Sequence, residues 1–134
     1  MKHRILRSRA RLFAVAIATA TLGITPARAE VVEIVWDSSG VFQRAVVIEP
    51  GKFAEVCGRL RKGQSIAWSF QSGVPMNFNI HYHEGSSVVF PARQGQTASL
   101  EGKLEAPTDQ DYCWMWENHS GAKDTLSVVL RAWR

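Results

Sequence analysis

A succession of short runs rich in β-branched and aromatic residues, each closed by a turn signal, constrains this chain more than any other feature. The runs are Val31–Trp36, Arg44–Ile48, Phe53–Cys57, Ser65–Phe70, Met76–His83, Ser87–Phe90, Ala98–Leu104, Asp111–Glu117 and Thr125–Ala132. Between them stand Ser38-Ser39-Gly40, Pro50-Gly51, Lys62-Gly63, Ser72-Gly73, Glu84-Gly85, Gly95, Pro107 and Ser120-Gly121. Those residues supply a fixed φ, left-handed backbone or side chain-to-backbone bonds that turn a chain. Short strands at near-regular spacing predict an all-β fold, an antiparallel β-sandwich of jelly-roll-like character. Helix is expected to be scarce, because no sustained 3.6-residue apolar period occurs beyond residue 29. Residues 30–134 carry no internal repeat, low-complexity tract or dividing linker and are expected to form one domain.

Alternation along each run separates a buried face from an outer one. In Ser65–Phe70 the inward set is Ile66, Trp68 and Phe70; in Asp111–Glu117 it is Tyr112, Trp114 and Trp116, which leaves Cys113, Met115 and Glu117 outside. Leu126, Val128 and Leu130 face inward in the last run. The tryptophans could alternatively form a ligand-stacking platform, but large aromatics at strand spacing are more often core.

The first 29 residues read differently. Lys2, Arg4, Arg7, Arg9 and Arg11 precede an apolar run from Leu12 to Ile24, and Ala27-Arg28-Ala29 precedes Glu30. That order is a secretory signal peptide, with cleavage expected after Ala29 and export to the periplasm or beyond. The apolar run is shorter than the roughly 20 residues of a spanning helix, so no membrane span is expected after cleavage. Of the sixteen Lys and Arg residues, six leave with the leader, and ten then face twelve acids. The whole-chain charge of +4 thus becomes −2 in the mature part, which lacks the basic excess that nucleic-acid phosphates require.

Cys57 and Cys113 are the two cysteines of the chain, and both survive cleavage. In an exported domain of this size a structural disulfide between them is expected, worth on the order of 4 kcal/mol in the loop-entropy model. A redox or copper-ligand role is the alternative, weakened by their distance in sequence and by the absence of a C-x-x-C motif.

Residues 46–131 resemble the GOLD (Golgi dynamics) domain, a β-sandwich of eukaryotic cargo receptors that also accompanies lipid-transfer domains. The likeness runs through Val47-Ile48-Glu49-Pro50-Gly51, Lys62-Gly63, Ile66-Ala67-Trp68-Ser69-Phe70 and Phe78-Asn79-Ile80. It closes on Tyr112, Trp114, Trp116 and Asn118, which are similar to that family's Tyr-x-Leu-x-Trp-x-Asn signature. Trp68, Phe78, Tyr112, Trp114, Trp116 and Asn118 are, on that resemblance, a structural core signature. It also places Cys57 and Cys113 near a cysteine pair that is disulfide-bonded in the cargo receptors, with Cys113 offset by two residues. No coiled coil, transmembrane helix or cytosolic tail accompanies the resemblance, so vesicle sorting does not carry over. What it implies is a protein- or lipid-interaction module without catalytic residues; for this exported chain the expected role is a non-catalytic binding module with a protein partner in the cell envelope.

One segment stands apart chemically. In Met76–His83 the side chains of Met76, Phe78, Ile80 and Tyr82 take one face, and Asn77, Asn79, His81 and His83 the other. A His-x-His pair on one strand face can grip a metal ion, with His119, Glu84, Glu117 and Met115 as candidates to complete the shell. A His/Met set suits copper and a His/carboxylate set zinc. The plainer reading is a solvated polar sheet face, and no cofactor is needed for it. His81, His83 and His119 on one surface would also respond to pH. A hydrolytic trio of His119, Ser120 and Asp124 lacks a nucleophile-elbow pattern. Asn118-His119-Ser120 matches a glycosylation sequon, read here as coincidence; the Asn118 amide can instead hold a tight turn.

Overall fold

A computed structural model describes residues 29–133. The leader expected over 1–29 therefore lies, apart from Ala29, outside the described residues. The strands are β1 (Glu30–Glu33), β2 (Val41–Ile48), β3 (Phe53–Leu60), β4 (Ser65–Glu84), β5 (Ser87–Glu105), β6 (Gln110–Glu117) and β7 (Asp124–Trp133), and no helix forms among the described residues. The fold is all-β. Among the described residues no helix is long and apolar enough to cross a membrane.

The element boundaries differ from expectation in one instructive way. Ser65–Phe70 and Met76–His83 are halves of a single long strand, and so are Ser87–Phe90 and Ala98–Leu104. Ser72-Gly73 and Gly95 do not reverse the chain; they bend it. β4 and β5 pair with each other along both halves, with a register shift between Gln71 and Met76. On its other side β4 pairs with β7 over Ser65–Gln71 and with β6 over Asn77–His81. The strand path β1-β3-β6-β4-β7-β2, with β5 alongside β4, thus folds into two layers that share the bent β4–β5 ribbon. The result is a sandwich close to a barrel.

The bend is pinned by polar groups. Asp124, at the start of β7, accepts hydrogen bonds from the backbone N–H of Gly73 at 2.6 Å and of Val74 at 3.2 Å. Ser72 Oγ reaches the carbonyls of Val74 and Ala98. Pro75 has no N–H to leave unpaired. On β5, Gln96 takes a left-handed φ of 41° and donates its backbone and side-chain N–H groups to Asn77 Oδ1.

All strand pairs are antiparallel except β1 with β3, which run parallel from Glu30↔Ala54 to Glu33↔Cys57. The expected sandwich is therefore antiparallel throughout apart from this edge pair, because the 34–40 segment carries the chain from β1 across to β2 rather than turning it back on β3. Asp37 Oδ1 organises that crossing by accepting from the N–H groups of Ser39 and Val41 and from Ser39 Oγ.

Between the layers the inward residues meet as alternation required. Ile66, Trp68, Phe70, Tyr112, Trp114, Trp116, Leu126, Val128 and Leu130 are all buried. Trp68 and Phe78 stack at 4.8 Å, Phe70 and Phe78 at 5.0 Å, and Phe70 meets Trp116 edge-on at 5.5 Å. The indole N–H groups of Trp68, Trp114 and Trp116 find no acceptor among the described residues, so these rings serve as apolar volume and not as a platform for a ligand. Trp68 lies directly over Gly102 of β5, where a Cβ would collide with the indole.

Cys57 and Cys113 are bonded, facing each other across β3 and β6 with Cα atoms 4.1 Å apart. As disulfide sulfurs they are closed to the thiolate and copper-ligand role. Asn118 is fully buried and donates from Nδ2 to the carbonyls of Ile48 and Ala122 while Oδ1 accepts from Ser120 N and Oγ. Its amide nitrogen is thus committed inside the fold.

Candidate functional site

The outer face of the layer formed by β3, β6, the second half of β4 and the first half of β5 carries a groove of ≈ 610 Å³. Strand register explains its composition. Glu55, Met115, Asn79 and Arg93 form one row across the four strands, and Cys57, Cys113 and His81 form the next. Alternation sends all of these side chains to the same outer face.

His81 is the unusual member. It is 6% exposed although it sits on the outer face, so the wet sheet face expected from the sequence is not wet at this point. The bonded Cys113 lies opposite it, His83 packs edge-on at 5.5 Å and the Phe90 ring is 6.0 Å away. Its Nδ1 is 2.8 Å from Asn79 Oδ1 and its Nε2 is 3.7 Å from Glu55 Oε1. Burial pushes the His81 pKa below the ordinary histidine value; Glu55 pulls the other way and His83 adds to the lowering. A neutral imidazole at neutral pH follows from that balance.

At the other side of the groove Phe90 is held at the surface, 37% exposed. The Arg93 guanidinium lies 3.4 Å from its ring centroid, a cation–π stack that leaves both groups facing solvent. Met115 and Glu117 complete the floor from β6.

The structure thus brings His81, His83, Met115 and Glu117 to one groove. His119 is placed on the loop after β6, exposed, with its Nε2 3.1 Å from Glu117 Oε2, and does not line the groove. Glu84 is exposed at the β4–β5 turn, opposite Ser87. His119, Ser120 and Asp124 turn to separate partners: Glu117, Asn118 with Ala122, and the Gly73–Val74 backbone.

Sequence reasoning missed Glu55, Phe90 and Arg93. A signal for Glu55 existed. A cross-strand bridge at Cys57 and Cys113 fixes the β3–β6 register, which sets Glu55 opposite Met115, beside the histidine strand. Phe90 and Arg93 had no such signal, since their approach depends on how β5 bends.

No family model matches the chain, and no curated protein sequence matches it. Solved structures do. The periplasmic g-type lysozyme inhibitor PliG of Aeromonas hydrophila aligns with a TM-score of 0.63 at 11% identity, over 79% of this chain and 98% of that one. PliG of Salmonella Typhimurium gives 0.60 at 16% identity, over 79% and 100%. The pre-peptidase C-terminal domain of a Bacillus anthracis collagenase gives 0.58 at 12% identity, over 80% and 100%. At these identities the likeness is one of fold, a β-sandwich with no helix among the described residues.

Proposed function

We propose that this protein is an exported, non-catalytic binding module that docks a protein partner of the cell envelope through the β3–β6–β4–β5 groove, with lysozymes as the partner class. The observation that carries the reading is the Phe90–Arg93 stack, presented at the rim of a groove on a sandwich whose other large aromatics are mostly packed inside. Exposed aromatic and Arg side chains around a concavity, with a half-buried Met at its floor, are of the kind protein interfaces use as anchors. A stacked guanidinium and ring lose little further side-chain freedom on docking, which lowers the cost of association. The excess of acids over bases in residues 30–134 favours a basic partner.

Lysozymes are chosen because solved inhibitors of g-type lysozyme share this fold and nearly its full extent. The disulfide suits an oxidising compartment, and the GOLD-type resemblance implies a role of the same level, a protein- or lipid-interaction sandwich without catalytic residues.

The test is direct. Mature, untagged protein is titrated against a g-type and a c-type lysozyme while lysis of a cell-wall substrate and binding are followed together. The reading expects inhibition with a dissociation constant below about 1 μM for one of them, weakened at least about tenfold by a Phe90→Ala/Arg93→Ala variant, as loss of anchor residues would require. Neither inhibition nor binding at about 100 μM removes lysozymes as the partner. Full inhibition by the double variant would move the docking surface elsewhere.

A further inference from the structure

We propose that Glu55, His81 and His83 form a site for a divalent ion of the zinc–copper class. This stands apart from the docking reading and does not depend on it. The distance from His81 Nε2 to Glu55 Oε1, 3.7 Å, is too long for a hydrogen bond. It is close to the separation of about 3.3–3.5 Å between two ligand atoms that share one tetrahedral ion at roughly 2.0–2.2 Å each. An ion seated between them would make both bonds with only a small side-chain adjustment.

The imidazole is prepared for that role. Asn79 presents Oδ1 to His81 Nδ1 at 2.8 Å, and an amide oxygen can only accept, so Nδ1 carries the proton. The lone pair is then on Nε2, the atom that faces Glu55. A ligand histidine whose far nitrogen donates to a fixed acceptor is the usual outer support of a metal site. His81 is also desolvated and Glu55 partly so, with side-chain exposures of 7% and 19%. A surface ion pair would carry no such arrangement.

His83 supplies the third ligand. It sits two residues on, on the same strand face, its ring 5.5 Å from that of His81, and it is exposed; a change of rotamer is needed to bring its imidazole to the ion. Cys113 Sγ also lies within 4.8 Å of the His81 and Glu55 donor atoms, but its bond to Cys57 removes the thiolate a metal would need. A set of two imidazoles and one carboxylate, without thiolate, suits zinc(II) or copper(II) and leaves a fourth position for water.

The experiment titrates zinc(II) and copper(II) separately into the oxidised, mature, untagged protein in competition with a chromophoric chelator, and records the copper(II) electron paramagnetic resonance spectrum. One ion per chain is expected, with nitrogen couplings from two imidazoles. Glu55→Gln, nearly isosteric, should weaken binding at least about tenfold, as should His81→Ala; Asn79→Leu, which removes only the positioning acceptor, should weaken it by about 10- to 100-fold. His119→Ala should leave affinity unchanged. No binding at about 100 μM ion, or binding that Glu55→Gln leaves intact with a matching melting curve, would overturn the proposal. Binding lost in His119→Ala but not in Glu55→Gln would do so equally.

Discussion

Tyr112 fills the core at the start of β6, and its hydroxyl donates to the carbonyl of Thr108 at 2.9 Å. A tyrosine near a strand start that ties itself to backbone a few residues upstream is a recurrent corner device of Greek-key sandwiches. Burial pushes its pKa above the ordinary tyrosine value, ahead of the opposing bond to Thr108 and smaller contributions from Tyr82 and Asp109. Folding therefore favours the neutral phenol. The stability this contributes is fully present below the unfolded value near pH 10 and disappears as pH rises through the higher folded value. Tyr112→Phe should cost about 0.5–1.5 kcal/mol at neutral pH through the lost hydrogen bond. The gap to wild type should then narrow between about pH 9 and 11, because the variant has no phenol to ionise at that site. Urea unfolding of both proteins across that range checks it, and a gap that widens with pH would refute the account.

At the scale of elements, the feature that most shapes the molecule is the bend shared by β4 and β5. A strand of 20 residues cannot remain in one flat sheet and also cover both layers, so it must turn where pairing can be interrupted. Gly73 permits the close approach of Asp124, whose carboxylate would clash with any Cβ at that position. Asp124 then replaces the ladder bonds that Gly73 and Val74 give up at the register shift. Asp124→Ala should destabilise by about 1–3 kcal/mol, the cost of leaving donors to a charged acceptor unpaired. Amide hydrogen exchange should show the loss of protection centred on residues 71–76, with the β3–β6 ladder little changed. Uniform loss across all strands would mean that the bend is held by core packing alone.

For the molecule as a whole, the bridge joins residues 56 apart in sequence that already lie opposite one another in the β3–β6 ladder. Its contribution is therefore mainly to the unfolded chain, whose freedom it restricts by on the order of 4 kcal/mol. A Cys57→Ala/Cys113→Ala variant should lose up to about that amount while keeping the native strand content and, with it, the groove. Denaturant unfolding and far-ultraviolet circular dichroism together check this. Retained stability would show that the bridge carries strain that cancels its entropic gain. The same bridge sets the register of the groove, so its rows and the fold's most covalent element share one origin.

The strand faces were readable from residues 65–70, 112–117 and 126–130 because alternation with period two is a local property that burial then enforces. Cys57 and Cys113 were readable for a similar reason: two cysteines allow a single pairing. The histidine strand was legible as a metal-capable pattern, but its surroundings were not. Local turn signals at Ser72-Gly73 and Gly95 cannot distinguish reversal from a bend, since the residue types that permit one also permit the other. Only tertiary pairing decided that β4 and β5 run on. The β4–β5 pairing, with its register shift between Ile80 and Tyr82, brings Phe90 to 6.0 Å from His81 with Arg93 stacked on it, and the β3 register sets Glu55 near His81. The sequence by itself determined which side chains face inward and which cysteines join. The tertiary structure alone decided that His81 is buried, because Glu55 and Cys113, from strands distant in sequence, join its local neighbours in covering it.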